Sequence, residues 1–255
     1  MNILRSEWTK FASLRSTWLT AAVTILLGVG VGILAASGTA REYGDLSSAE
    51  RAAWDPTAES LTSIIVGQLA IGVLGVLVIT AEYATGSIQP SLLAVPRRGR
   101  LLAAKAVVFA SAAVLLGQLI GFTSFLAGQA VFAGQDVPHA TLGQPDVLRG
   151  VIGGGLYLAA LGLLGLGLGT VFRSTAGAIG TLVALTLLVR SLAQALPQAW
   201  ADWMNTYWPT TAGEKIVTVV PVDGALAPWA GFGVLCGFVA VVGAAGYLVL
   251  RGRDA

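Results

Sequence analysis

Six apolar runs, each close to the length that a hydrocarbon core demands and nearly empty of charge, occupy most of the chain. They extend approximately over residues 18–37, 61–81, 102–132, 149–172, 176–196 and 228–250. A helix needs about 20 residues at 1.5 Å each to cross the core. Lipid offers the backbone no hydrogen-bond partner, so such runs fold as helices that satisfy themselves. Composition points the same way: of 255 residues, 55% are hydrophobic and 11% charged, against about 25% charged in soluble proteins. A water-soluble fold of this size needs more ionised surface. The predicted fold class is an all-α integral membrane protein with six transmembrane helices in a single transmembrane domain over 1–255.

Orientation follows from the lysines and arginines, which favour the cytoplasmic side. Arg5, Lys10 and Arg15 lie in the N-terminal arm, Arg97, Arg98, Arg100 and Lys105 in the second connection, Arg173 in the fourth, and Arg251 and Arg253 in the tail. With six spans all of these fall on one side. The other connections carry Glu42, Asp45, Glu50, Asp55, Glu59, Asp136, Asp146, Asp202, Glu214 and Asp223, with few bases. Both termini are therefore expected in the cytoplasm and the protein in the cell membrane. The apolar run from Trp18 to Ala36 is too long for a signal-peptide core. Residues Met1 to Thr17 read as an N-terminal amphipathic interfacial helix, with Ile3, Leu4, Trp8, Phe11 and Leu14 on one face and Arg5, Lys10 and Arg15 available to lipid phosphates.

Several function classes lack their residues. A net charge of +2 without a basic, aromatic stripe speaks against nucleic acid. There is no GxxxxGK[ST] phosphate loop and no HExxH, and His139 reads as a solvated loop residue. Ser37 has no base near it in the sequence. Cys236 reads as a small buried apolar residue. Within the spans Arg190 is the clear ionisable residue, open to outward snorkelling, structural pairing or a polar substrate path. Gln68, Gln118, Gln129 and Gln194 read as interhelical hydrogen-bond partners or ligand contacts. Gln68, Arg190 and Gln194 are the candidate pathway residues. Gly28/Gly32, Gly117/Gly121 and Gly165/Gly169 have GxxxG spacing and read chiefly as tight intramolecular packing, with a dimer seam as the alternative.

The second connection, EYATGSIQPSLLAVPRRGRLLAAK from Glu82 to Lys105, is the most informative. Glu82 closes a span, Gly86 permits a turn, Ser87 to Ala94 can form a short helix, and the basic cluster holds the loop at the membrane surface. With SEWTKFASLRSTW (Ser6 to Trp18), FRSTAGAIG (Phe172 to Gly180) and YWPTTAGEKI (Tyr207 to Ile216), this loop makes nearly the whole chain resemble the permease subunits of the ABC-2 family of ABC transporters, particularly short actinobacterial forms.

The resemblance implies a cytoplasmic coupling helix between spans 2 and 3 that docks on a separate ABC ATPase, present in two copies. It also implies a second permease copy, making a homodimer around a central pathway lined chiefly by the second and fifth helices. Glu82, Gly86 and Ser87 occupy the family's E-x-x-x-G-[ST] positions; Leu92 and Leu93 are added as candidate docking side chains. No cofactor is expected in this chain, since ATP and magnesium would be bound by the partner. Membrane lipids complete the expected partners. The function implied is ATP-driven export of an amphipathic substrate such as a drug, peptide antibiotic or lipid. A membrane-embedded immunity or binding protein and an ion-coupled secondary carrier are the alternatives. Trp200 to Trp208 reads either as a re-entrant hairpin capping the pathway or as interfacial anchoring.

Overall fold

Because lipid leaves an exposed peptide group unpaired, every long apolar run closes on itself as a helix, and the short polar segments hold the caps. A computed structural model describes residues 3–13, 15–90, 98–193 and 195–252, with backbone alone for 10–13 and 15–21. Leu14, Leu92, Leu93, Arg97 and Gln194 lie outside the described residues. Among the described residues there is no strand.

The helices are α1 (Ile3–Ser13), α2 (Arg15–Glu42), α3 (Ser48–Ala52), α4 (Pro56–Ser60), α5 (Ile64–Ala84), α6 (Arg98–Gly134), α7 (Val147–Phe172), α8 (Thr175–Val183), α9 (Val189–Ala193), α10 (Gln198–Tyr207), α11 (Pro209–Glu214) and α12 (Pro228–Gly252). Six segments are long and apolar enough to cross a membrane, built from α2, α5, α6, α7, α8 with α9, and α12. The ends of α5, α7 and α12 meet the starts of α6 and α8 at the end of the bundle that holds α1, here the near end. The remaining connections gather at the far end.

Local chemistry sets the boundaries. Ser47 and Glu50 form a reciprocal capping box at α3. Asp55 caps α4, where Pro56 takes a first-turn position that needs no N–H. α5 stops at a turn in which Gly86 adopts φ +70°, where any other residue is strained. Ser174 accepts from Gly177 N and starts α8 directly after α7. α6 begins at Arg98, ahead of the expected span start near Leu102, and runs unbroken for 37 residues. In the fifth span Ala184–Leu188 is π-helical and joins α8 to α9. Such bulges leave a carbonyl open to another partner, and here the Leu185 carbonyl accepts from Trp208 Nε1 at 2.9 Å.

α7 is the centre, packed against α5, α6 and α12 and the most enclosed of the six. Its glycines let backbone touch backbone. A Cβ at Gly165 would stand 2.1 Å from the Gly72 carbonyl oxygen, and one at Gly75 would stand 2.0 Å from that of Gly162. A Cβ at Gly117 would stand 2.4 Å from the Gly155 carbonyl oxygen, and Gly28 and Gly32 face Ile120 and Ser63. All three GxxxG pairs are thus spent inside one chain. Around these seams Phe109, Phe125, Ile71, Ile120, Leu158 and Tyr157 form the main buried cluster. A smaller far-end cluster joins Phe132 and Ala36 to Trp54, whose ring stands edge-on to Phe132 and Tyr43.

Outward faces remain apolar: Leu26, Leu34, Leu192, Val241 and Leu248 are each more than 60% exposed. That much exposed aliphatic surface is untenable in water and ordinary against lipid or a partner helix. Cys236 corrects its sequence reading, because it lies exposed on α12 rather than buried. The reason is that α12 packs by its Gly231, Leu235, Gly246 and Leu250 face, and Cys236 falls outside it.

Candidate functional site

At the near end the stretch that opens with Glu82 and Tyr83 is tied to α6 through Lys105 and to the α7–α8 connection through Arg173. Lys105 of α6 is 4% exposed and donates to Glu7 of α1 at 2.7 Å and to Glu82 of α5 at 2.6 Å. The expectation that Lys105 belongs to a surface cluster facing lipid is therefore corrected. On a helix, Leu101, Ala104, Lys105 and Val108 fall on one stripe, and that stripe is the buried one. Glu7 is turned inward with it, whereas Leu4 and Trp8 of α1 point away from the bundle, each 46% exposed. A lone acid among basic residues in the arm is the only sequence sign of this pairing.

Next to it, the Arg173 guanidinium lies 5.3 Å from the Tyr83 ring centre and donates to the Val249 carbonyl. Arg98 donates to the Leu250 carbonyl at 2.8 Å. The last carbonyls of a helix lack intrahelical partners and carry partial negative charge, so two arginines from other connections close α12. Thr175 at the start of α8 donates to Thr80 of α5 at 3.0 Å. Beyond Glu82 the chain turns at Thr85, Gly86 and Ser87, where the two hydroxyls are 2.9 Å apart. Helical geometry restarts over 88–90, with Ile88 buried and Gln89 and Pro90 exposed. Glu82, Gly86 and Ser87 thus sit together at one exposed corner whose base is anchored.

The candidate pathway residues are placed apart from it. Gln68 is buried and accepts from the Tyr157 hydroxyl at 2.9 Å, joining α5 to α7. Arg190 is paired with Glu214 of α11 at 2.6 Å and keeps about half of its side chain exposed (48%). Gln118 donates to Ile152 O and Gln129 to Pro56 O, so both bind between helices. In the segment around Trp208, α10 exposes Trp200, Trp203 and Tyr207, whereas α11 buries Thr210, Ala212 and Gly213 against α12.

The far end is closed by Asp55, which sequence reasoning read only as an outer charge. Its Oδ1 accepts from Thr57 N and Ala58 N, and its Oδ2 accepts from Val219 N at 2.6 Å and Val220 N at 2.9 Å. Arg149 donates to Ile216 O and Thr218 O at 2.9 Å each. Together they hold one wall of a cavity of about 410 Å³ lined also by Lys215, Pro221 and Trp229. Asp55→Asn is expected to spare the α4 cap, which needs one oxygen, but to set an amide NH2 against the Val219 and Val220 N–H groups. Hydrogen exchange should speed up at Val219 and Val220 while Thr57 and Ala58 stay protected; each charge-assisted bond lost is worth about 1.5 to 3 kcal/mol. Unchanged exchange at Val219 would mean that Asp55 does not hold this wall.

A family model described as ABC-2 family transporter protein matches residues 1–255. The chain belongs to that family. A search of curated proteins gives no match. As an ABC-2 permease it is a multi-pass membrane transport protein, the membrane component of a system that normally works with an ABC ATPase. In this permease the near-end corner is an exposed turn whose base ties α1, α5 and α6 together through Lys105.

Proposed function

We propose that the chain is the permease subunit of an ATP-driven exporter in the cell membrane, with both termini cytoplasmic. Two copies of a separate ATPase bind ATP and magnesium and grip the segment that follows Gly86, and two permease copies pair around the pathway. The substrate is amphipathic. Basic residues at the near end, Arg98, Arg100, Arg173 and Arg251, support its assignment to the cytoplasm. The observation that carries the reading is Glu82: with Glu7 it shares the Lys105 ammonium, which joins α5, α6 and α1 just before the turn at Gly86, where a pull from the ATPase would reach all three. Gln68 and Arg190, on the second and fifth spans, are the described residues assigned to the pathway, Arg190 through its exposed half.

The test is co-purification from native membranes with a tag on the carboxyl terminus. A stoichiometric ABC ATPase is expected, and it should be lost when the segment from Ser87 to Leu93 is replaced by a flexible linker while the permease stays monodisperse. Recovery of the intact chain without any nucleotide-binding subunit would reject the exporter reading in favour of a membrane-embedded binding protein or an ion-coupled carrier.

A further inference from the structure

A second feature of the near end lies outside that reading and does not depend on it. Between α6, α7 and α12 is a cavity of about 370 Å³ that opens on the outside of the bundle. Ala103 and Ala106 form one wall, Leu166 and Gly167 the floor, and Gly243 and Tyr247 the other wall. It exists because small side chains stand where three helices diverge: a Cβ on Gly243 would meet nothing within 4 Å. The lining from Leu163 to Thr170 spans about 10 Å along the helix axis at 1.5 Å per residue. Of its two hydroxyls, that of Thr170 is already spent on the Leu166 carbonyl at 2.8 Å, and that of Tyr247 lies beside Gly99 at the start of α6, towards the mouth. The cavity therefore suits a hydrocarbon chain.

Its mouth is basic. The Arg98 bond to Leu250 O fixes the start of α6 beside the end of α12, and Gly99 lies against the Tyr247 ring. Arg100 lies one turn before Ala103 and Arg251 one turn after Tyr247 on the helix stripes that line the cavity, which sets both at the rim; both are exposed, and among the described residues neither has a carboxylate within ion-pair distance. An occupant must pair a chain fitting an apolar slot with an anionic group at the headgroup level. We propose that this groove is a binding site for an anionic phospholipid, one acyl chain lying between α6 and α12 over α7 and the phosphate held by Arg100 and Arg251. A neutral phospholipid fits the slot equally but gains less at the rim. Among the described residues, the acids that a second copy of the chain would bring to this end, Glu7 and Glu82, are already engaged with Lys105.

Native mass spectrometry of the full chain, released from bilayers holding equal amounts of phosphatidylglycerol and phosphatidylcholine, tests the site. The wild type is expected to retain phosphatidylglycerol in preference, by about fivefold for each basic side chain at the surface. Gly243→Leu fills open space and should lose both lipids. Ala103→Phe, at an exposed position on the opposite wall, should do the same and carries the test if the first variant does not fold. Arg100→Gln with Arg251→Gln should keep a bound lipid but lose the preference. Equal retention of the two lipids by the wild type, or full phosphatidylglycerol retention by the groove-filling variants, would overturn the assignment. So would a loss of dimers in Gly243→Leu, which would show that a second permease covers this face.

Discussion

Gly75→Ala is expected to abolish a stable monodisperse protein, although it adds a single methyl group. The new carbon would lie 2.0 Å from the Gly162 carbonyl oxygen and 3.0 Å from the Leu166 nitrogen. Those atoms belong to the backbone of α7 and cannot rotate aside, so α5 and α7 must separate along the most extensive contact of the bundle. Overpacking ordinarily costs about 1 to 3 kcal/mol; this case lies at or beyond the top of that range, because the parting helices also lose contacts on either side. Gly165→Ala, aimed at the Gly72 carbonyl oxygen from the opposite helix, should fail in the same way. The double variant should cost less than the sum, since either change opens the same seam. Gly237→Ala on α12 meets nothing within 4 Å and is the matched control. Melting temperature and elution profile in detergent decide the matter: a Gly75→Ala protein that melts with the wild type would refute the close approach of α5 and α7.

The next largest effect is expected at Lys105. Replacing it with methionine, which is one atom shorter and uncharged, takes the ammonium from between two carboxylates, Glu7 at 4% exposure and Glu82 at 14%. Removing one member of a buried ionic set costs about 3 to 5 kcal/mol, chiefly because the charges left behind stay desolvated, whereas neutralising the whole set costs far less. Lys105→Met alone should therefore lower the melting temperature sharply and release α1, seen as faster hydrogen exchange across Ile3–Ser13. Adding Glu7→Gln and Glu82→Gln should restore most of the stability. If the triple variant were no better than the single one, Lys105 would matter for its packing rather than its charge. On the proposed exporter reading, the triple variant also separates stability from force transmission: folded but with its ionic joint gone, it should bind the ATPase and transport poorly.

Much of this architecture was legible in the sequence because the solvent is simple. A run such as Leu61 to Ala81 has one way to satisfy its backbone in lipid, and α5 occupies Ile64–Ala84 accordingly. Turn chemistry was equally local at Gly86, which marks its turn by residue type. The family's pattern over Glu82, Gly86 and Ser87 gave the corner a function to test.

The partners of charged side chains were not legible in this way. Lys105 sits in a basic stretch and reads as one more surface cation; only the register of α6 turns it inward, and only the fold of α1 brings Glu7 across 98 positions to meet it. Asp55 reads as an outer charge among many, and its bond to Val219 spans 164 positions. Arg190 could have snorkelled, and its pairing depended on α11 returning beside α9. The amino-acid sequence by itself determined the number of spans, the end at which basic charge collects and the turn at Gly86, because each depends on neighbours in the chain and on the difference between lipid and water. The tertiary structure alone decided that α7 is the centre, that the glycine pairs are spent within one chain, and which charges are buried together. In lipid every helix is apolar on all sides, so hydrophobicity cannot say which face turns inward; close packing and the partners of the few polar groups make that choice.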